Sequence, residues 1–255
     1  MTETVKLDTA AEHWRQYYDG RAEGQSLRHF MQVLGYHPDS GGDYGRLFDG
    51  ILAEIEARLA LESEHRFLDI ACGFAAFTRR LAATADLAVG TDLAAAMLKQ
   101  GRGLESEPGM AKLCGIVQAN GCAQPFVEAS FDRILCFGVF FHLSRADAAT
   151  VVEEIVRLLR PGGRALIGDV LHPARLQRER SYIEKIPALL HAPLRWGLRC
   201  KAIVDRLRGK VVYQAYAPKF FARILPSGFT CRIYEDKADG RRNNRSRYDV
   251  VIERG

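Results

Sequence analysis

A segment rich in small residues is the first part of the sequence that could do chemistry. Residues 67–82 read FLDIACGFAAFTRRLA, an apolar run that leads into small residues and then into apolar positions at helical spacing. Such a turn lets the backbone approach a ligand closely, because larger side chains would obstruct it. We therefore expect a ligand-binding turn between a strand and a helix.

An acidic residue follows at the end of the next apolar run. Asp92 lies 23 residues after Asp69, in the stretch VGTDLAAAM. A carboxylate at the end of a second strand can accept hydrogen bonds from both hydroxyls of a ribose. The turn and the acid together indicate a ligand that contains adenosine. An alternative role for Asp92 is the N-cap of the following helix, and the two roles are compatible.

Two ligands of this kind compete, a dinucleotide and S-adenosylmethionine. The dinucleotide fingerprint G-x-G-x-x-G places a pyrophosphate at a helix N-terminus. Here only Gly73 remains of that series, and Ala71, Ala75 and Ala76 surround it. Asp69 precedes the turn, where its charge would repel a pyrophosphate and attract the ammonium group of a methionine moiety. The residues therefore favour S-adenosylmethionine.

The elements that must position these residues alternate between strands and helices. The helix before the fifth strand has an apolar stripe at Val152, Ile155 and Leu159, and the run 161–163 (PGG) is expected to end it. Such alternation predicts a doubly wound parallel sheet of the α/β class. Strands are predicted at residues 67–71, 87–91, 113–118, 134–140, 164–170, 229–234 and 248–252, with a helix at 219–225.

Composition and length fit one globular domain that carries an N-terminal extension and an insertion. The chain has 255 residues, of which 47% are hydrophobic and 26% are charged. This mix is typical of a folded protein and argues against global disorder. We predict an N-terminal helical cap over residues 1–64, a core over 65–170 and 217–255, and a basic helical insertion or lid over 171–216, all within one domain.

Five motifs occur in the order and spacing of a known family. They are DIACGFA at 69–75, Asp92, NGCAQPF at 120–126, FDRILCF at 131–137 with FHL at 141–143, and LLRPGG at 158–163. Over roughly residues 65–170 and 217–253 the chain resembles the class I S-adenosylmethionine-dependent methyltransferases of the small-molecule type. The resemblance implies a Rossmann-like, seven-stranded sheet with five or more parallel strands and an antiparallel last strand.

The resemblance also implies a cofactor, S-adenosylmethionine, and the residues that bind it. Ala71 and Ala75 stand where the family has glycines. Asn120 stands where the family usually has an aspartate, and its side-chain carbonyl can accept a hydrogen bond from the adenine amino group. The expected cofactor-binding residues are Asp69, Ala71, Cys72, Gly73, Asp92, Leu93, Met97, Asn120, Gly121, Phe137 and Tyr18.

Aromatic residues near the N-terminus could close the cofactor pocket. Trp14, Tyr17 and Tyr18 fall at helical spacing, so they would share part of one helix face. The alternative interpretation is an apolar stripe that packs against the core and has no contact with a ligand.

Three residues are candidates for catalysis. Methyl transfer is an in-line displacement, and it needs a general base only when the nucleophile carries a proton of high pKa. His142 follows the fourth strand and is the first candidate for that base, with a packing or capping histidine as the alternative. His172 and Asp169 at the end of the fifth strand are further candidates, although Asp169 could instead hydrogen-bond the substrate or the backbone.

Charge is concentrated in two short segments. The chain has 36 basic and 31 acidic residues, so its net charge is only +5. Residues 171–216 hold ten basic and three acidic residues, and four arginines lie between positions 241 and 247, which leaves the remainder near −6. We interpret the insertion as a lid that attracts an anionic substrate. A basic surface against a membrane and a solvated helix face are the alternatives.

The expected acceptor is a small molecule of the natural-product or sugar and glycan type, methylated on oxygen or nitrogen. Methylation of RNA through the basic insertion is an alternative, as is a non-catalytic S-adenosylmethionine-binding module, for which Ala75 is the support. Nucleic-acid methylation is disfavoured, because residues 136–139 read CFGV where enzymes that methylate base amino groups carry an Asn- or Asp-Pro-Pro-Tyr segment.

Cysteine usage and hydropathy suggest the compartment. None of the six cysteines forms a C-x-x-C pair, and no histidine cluster has zinc-finger spacing. We therefore expect a reducing, cytoplasmic environment and no metal. No apolar run reaches the roughly 18 residues of a membrane-spanning helix, and the charged residues among the first twenty argue against a signal peptide.

Overall fold

A single sheet organises the chain. The computed structural model describes residues 9–22, 26–33, 43–102, 104, 115–175, 213–235 and 246–255. Within these ranges seven strands pair in the order β3-β2-β1-β4-β5-β7-β6. The strands are β1 Arg66–Ile70, β2 Leu87–Asp92, β3 Gly115–Gln118, β4 Phe131–Phe137, β5 Leu159–Leu171, β6 Phe229–Tyr234 and β7 Arg247–Arg254.

Helices surround this sheet. In chain order they are α1 Thr9–Asp19, α2 Leu27–Val33, α3 Tyr44–Leu59, α4 Ala76–Leu81, α5 Ala95–Gly101, α6 Arg145–Leu158 and α7 Lys219–Ile224, with a 3-10 turn at Phe140–His142. Within the described ranges, no helix is long and apolar enough to cross a membrane.

The pairing confirms the predicted Rossmann-like class. Strands β3, β2, β1, β4 and β5 pair in parallel, whereas β7 runs antiparallel to both β5 and β6. The order reverses between β1 and β4, so the carboxyl ends of these neighbours border a crevice, which is where ligands bind in such sheets. The chemistry-bearing turn after β1 opens into this crevice.

Helix α3 shows how apolar spacing attaches the N-terminal segment to the sheet. Asp43 caps the helix by accepting a hydrogen bond from Gly45 N at 2.8 Å. Ile51, Ile55 and Leu59 recur at intervals of four residues, and all three are buried. Their burial places the N-terminal helices and the sheet in one hydrophobic core.

Several boundaries differ from the prediction, including the starts of β4 at Phe131 and of β5 at Leu159. Strand β4 ends at Phe137, because Gly138 takes a φ of 72° and the chain turns into the 3-10 segment. The buried Phe140 continues the apolar run and made the strand look longer. Helix α6 ends at Leu158, before the Pro-Gly-Gly run, since Leu159 is already extended and pairs with Phe131.

The basic insertion lies mostly outside the described residues, as does the start of the predicted third strand. Its ends are placed. Gln214 N donates to Phe141 O at 2.8 Å, and Tyr216 N donates to Leu171 O at 2.9 Å. Both ends of the insertion therefore attach beside β5 and the 3-10 turn.

A buried ionic network joins the end of β5 to β7. Asp169 has a φ of 65° at an irregular register between β5 and β7, and its N–H donates to Asp249 Oδ1 at 2.7 Å. The Asp169 carboxylate pairs with Arg247, and the Asp249 carboxylate pairs with Arg58 of α3. Both carboxylates are buried, so their charges depend on these partners.

We expect Asp249→Ala to lower the free energy of unfolding by about 1.5–3 kcal/mol, because it removes the buried ion pair with Arg58 and the acceptor of the Asp169 N–H, while Glu54 still pairs with Arg58. Glu253→Gln on the same strand is the matched control, since Glu253 pairs with Arg164 near the surface, where an ion pair contributes less than about 1 kcal/mol. Urea unfolding measures both variants. Equal losses in the two variants would show that the network does not hold β7 in place.

Candidate functional site

A cavity of about 320 Å³ lies at the carboxyl ends of β1, β2 and β4, beneath α1. Its volume falls in the range of small-molecule sites. All eleven residues that the sequence nominated for the cofactor line it: Tyr18, Asp69, Ala71, Cys72, Gly73, Asp92, Leu93, Met97, Asn120, Gly121 and Phe137. The sequence therefore identified one continuous surface, although it gave no direct view of the cavity.

The turn after β1 brings backbone to the cavity wall. Ala71 and Gly73 take φ values of 60° and 57°, in the left-handed region that suits glycine. Cys72 N donates to Thr91 O at 2.9 Å, which fixes the turn against β2. A Cβ at position 73 would lie 3.3 Å from Met97 Cε. The glycine thus permits both the conformation and the close approach of α5.

Two backbone amides position the Asp92 carboxylate. Gly73 N donates to Oδ2 and Ala94 N donates to Oδ1, each at 2.8 Å. Burial raises the pKa of Asp92, and the two N–H groups oppose that rise. Each oxygen has a further acceptor position, so the carboxylate can still receive the two hydroxyls of a ribose.

Asp69 lies deeper, at the base of the turn. Thr78 Oγ1 donates to its Oδ2 at 2.6 Å, a contact that the sequence analysis missed because Thr78 lies one turn into the helix region. Burial, with a smaller contribution from the charge of the nearby Asp92, raises the pKa of Asp69 to about 7 despite this hydrogen bond. Two acids in one cavity favour a ligand with a positive charge.

A tight loop at residues 119–126 forms the opposite wall. Asn120 Oδ1 accepts from Cys122 N at 3.0 Å, so the oxygen expected to meet adenine also closes its own turn. Gln124 Nε2 donates to Asn120 O at 2.9 Å. Glu154 and Arg157 of α6 bind the backbone of this loop. The support comes from a helix about thirty residues away, which no local pattern could reveal.

Helix α1 closes the cavity with aromatic rings. The ring centroids of Trp14 and His142 lie 3.8 Å apart, and Tyr18 Oη lies 2.7 Å from His142 Nε2. Ala96 N donates to Asp19 Oδ1 at 3.0 Å, which fastens the end of α1 to α5. Burial, reinforced by the positive charge of Arg247, lowers the pKa of His142 to about 3, so the imidazole is neutral at physiological pH.

The three catalytic candidates separate in space. His142 lines the cavity, whereas Asp169 and His172 are not among its lining residues in the described part of the chain. Asp169 belongs to the buried ionic network with Arg247. His172 N donates to Ser246 O at 2.7 Å, and its ring contacts Tyr248. The end of β5 therefore supports β7 and does not face the cavity.

Ala75 is also remote from the cavity surface. It occupies the N-cap of α4 with a φ of 57°. It is fully buried in a small cluster with Cys72 and Leu98. The substitution of alanine for glycine at this position thus affects packing behind the turn.

Comparison with known proteins agrees with this site. Residues 68–167 match the family described as methyltransferase domain. Together with the sheet order and the strand-end acids, this match defines the segment as a methyltransferase domain of the class I S-adenosylmethionine-dependent type, whose cofactor is S-adenosylmethionine.

The matches to individual curated relatives cover only part of this chain and part of each relative. Methyltransferase GfsG of Streptomyces halstedii is 27% identical over 67% of this chain and 62% of its own. The ubiquinone/menaquinone biosynthesis C-methyltransferase UbiE of Hahella chejuensis is 34% identical over 45% and 47%. The chain therefore spans about half to three fifths of the length of these curated relatives. Magnesium protoporphyrin IX methyltransferase of Synechocystis PCC 6803, solved with bound S-adenosylmethionine, shares the fold at 13% identity, with a TM-score of 0.60 over 99% of this chain and all of its own.

We expect the affinity for S-adenosylmethionine to fall as the pH drops below about 7. Asp69 then takes up a proton in the free protein, and this proton must leave before the carboxylate can bind the ligand ammonium. The affinity should therefore fall by up to about ten-fold for each pH unit below the pKa. Calorimetry between about pH 5 and 7 measures this dependence.

Asp69→Asn should bind the cofactor more weakly and lose this part of the pH dependence. Its affinity for 5′-methylthioadenosine, which lacks the amino-acid moiety, should match that of the wild type at each pH. An unchanged pH profile for S-adenosylmethionine in the variant would exclude the assigned role of Asp69.

Proposed function

We propose that the protein transfers the methyl group of S-adenosylmethionine to oxygen or nitrogen of a small-molecule acceptor by in-line displacement. The observation that carries this proposal is the Asp92 carboxylate, held by two backbone amides at the edge of a cavity that also contains the buried Asp69. The match of residues 68–167 to the methyltransferase domain supports the same chemistry.

The residues present fit the cofactor by their chemistry. Asp92 would accept the ribose hydroxyls, and Asp69 would face the ammonium group of the methionine moiety. The loop that contains Asn120 and Gly121 would take the adenine. A Cβ at Gly121 would lie 3.5 Å from Val151 and 3.6 Å from Ile70, so the loop packs closely on the apolar end of the cavity.

The cofactor supplies a methyl group on a positively charged sulfur, and the chain supplies position and a dry environment. The carboxylates orient the two polar ends of the cofactor. Trp14 and Tyr18 of α1 cover part of the cavity and reduce its contact with water, which strengthens the electrostatic interactions inside. Holding the acceptor in line with the methyl group can then provide much of the rate acceleration.

His142 is the catalytic candidate that meets the cavity, but a general base is not the role we propose for it. A pKa near 3 makes its imidazole a weak proton acceptor. Its contact with Tyr18 favours a role in holding the acceptor. Asp169 and His172 are not proposed as catalytic residues, because their contacts are with β7 and its flanking residue Ser246.

The small-molecule acceptor is favoured over the alternatives by the shape of the site. The aromatic rings of α1 roof the cavity, which suits an acceptor small enough to be enclosed. The non-catalytic module loses its support, because Ala75 packs behind the turn and is not among the residues that line the cavity in the described part of the chain.

We expect Asp92→Ala to weaken binding of S-adenosylhomocysteine by at least about ten-fold, since hydrogen bonds to a charged acceptor each contribute about 1.5–3 kcal/mol. Asp86→Ala is the matched control, because Asp86 is exposed at the other end of the same strand region. Calorimetry measures both. If the wild type binds neither S-adenosylmethionine nor S-adenosylhomocysteine, the proposed function is wrong, and equal affinities in the two variants would refute the role of Asp92.

A further inference from the structure

Five rings form a cluster at the roof of the cavity, which we call the aromatic cluster: Trp14, Tyr18, Phe141, His142 and Tyr213. The centroid of His142 lies 3.8 Å from Trp14, 4.2 Å from Phe141 and 5.8 Å from Tyr213. The cluster joins α1, the 3-10 turn after β4 and the end of the basic insertion. Three separate chain segments thus meet around one imidazole.

Two polar atoms in this cluster lack a hydrogen-bond partner within the described part of the chain. Trp14 Nε1 and His142 Nδ1 are both buried, and neither has a hydrogen-bond partner among the residues that the structure describes. Burial of an unpaired polar group is costly, so such groups in a folded protein call for an explanation. Both residues line the cavity, and their rings are in contact. Because both residues line the cavity, ligand atoms bound there could become the partners of these nitrogens.

The contact between Tyr18 and His142 bears on whether the ligand atom is a hydrogen-bond acceptor or a donor. Tyr18 Oη lies 2.7 Å from His142 Nε2. Burial raises the pKa of Tyr18 and lowers that of His142, so the phenol keeps its proton and the imidazole is neutral. The hydroxyl can donate to Nε2, and in that arrangement the single imidazole proton resides on Nδ1. His142 Nδ1 and Trp14 Nε1 are then both N–H donors.

Two N–H donors side by side favour an acceptor oxygen that carries negative charge. The guanidinium of Arg247 lies 5.1 Å from the centroid of the Phe141 ring and acts electrostatically on His142. Asp147, the acidic residue of the cavity wall that is nearest in sequence, is engaged in its capping box, where Ser144 Oγ donates to Oδ2 at 2.7 Å. Flat rings around the donors suit a flat ligand, because aromatic surfaces stack.

We propose that Trp14 Nε1–H and His142 Nδ1–H bind the oxygen of a planar acceptor that enters the cavity as a phenolate or enolate, with Tyr18 fixing the tautomer of His142. This inference rests on the proposed methyltransferase function and specifies its substrate class. Trp14 and His142 are the binding residues, and Tyr18 is a positioning residue.

The chemistry balances without a general base. The acceptor oxygen forms a bond to the methyl carbon, the bond from sulfur to that carbon breaks, and its electron pair goes to sulfur. The oxygen anion becomes a neutral ether and the positive charge on sulfur disappears, so no proton moves. With Nε2 of His142 accepting from Tyr18, the imidazole has no lone pair for the proton of an aliphatic alcohol. Acidic phenols and the enols of 1,3-dicarbonyl compounds, which ionise near neutral pH, fit where sugar hydroxyls do not.

The test measures binding of 4-nitrophenol, at a pH where it is ionised, to protein saturated with S-adenosylhomocysteine. Nitrobenzene, which lacks the hydroxyl, is the matched neutral ligand. Trp14→Phe keeps an aromatic ring and removes the N–H. It should weaken binding of 4-nitrophenol by roughly ten-fold, the loss of one hydrogen bond to a charged group, and leave nitrobenzene binding within about two-fold. Tyr17→Phe, on the same helix but not among the lining residues described for the cavity, should change neither.

A second measurement covers the case in which Trp14→Phe does not fold. In the wild type, the indole N–H resonance of Trp14, distinguished from that of Trp196, should shift when 4-nitrophenol is added and stay in place with nitrobenzene. No binding of 4-nitrophenol, an unmoved resonance, or equal weakening of both ligands by Trp14→Phe would overturn this inference. If the wild type still binds S-adenosylhomocysteine in those cases, the proposed methyltransferase function stands. If the wild type does not bind S-adenosylhomocysteine, both the proposed function and this inference are wrong.

Discussion

The structure depends on one carboxylate and the two backbone amides that hold it. Asp92 accepts from Gly73 N after β1 and from Ala94 N before α5, each at 2.8 Å. The contact joins the ends of two parallel strands to the start of a helix, and it places a negative charge where the crevice of the sheet opens. Gly73 has to adopt a positive φ to present its N–H in this way. The cofactor turn, the position of α5 and the acidic end of the cavity all follow from this geometry.

The cavity has two chemically different ends. Asp69 and Asp92 make one end acidic and suited to a cation. The aromatic cluster makes the other end apolar, with His142 held neutral by burial. A sulfonium ligand bound at the acidic end would place its methyl group toward the aromatic end, where an acceptor can reach it. This separation of charge along the cavity suits the proposed transfer from a cationic sulfonium to an anionic acceptor.

Sequence reasoning succeeded where function lies in short, local patterns. The turn at residues 69–75 and Asp92 both follow strands, and parallel strands place their carboxyl ends at one edge of a sheet. Residues far apart in sequence could therefore be assigned to one site without knowledge of their contacts. Most of the eleven residues nominated for the cofactor, all of which line the cavity, were assigned in this way.

Long-range partners could not be found from the sequence. Asp169 and His142 follow neighbouring strands and looked alike as catalytic candidates. What separates them is the pairing of Asp169 with Arg247, 78 residues away, and the contact of His142 with Tyr18, 124 residues away. Likewise the apolar run through Phe140 gave no sign that Gly138 turns the chain and ends β4. These features depend on tertiary packing, for which a single sequence carries no periodic signal.

A crystal structure of the protein with S-adenosylhomocysteine tests the central claim most directly. The account predicts the ribose hydroxyls within hydrogen-bond distance of the Asp92 carboxylate, the amino group of the homocysteine moiety at the Asp69 end of the turn, and the adenine against the loop of Asn120 and Gly121. A ligand bound elsewhere, or bound in this cavity with its ribose away from Asp92, would contradict it.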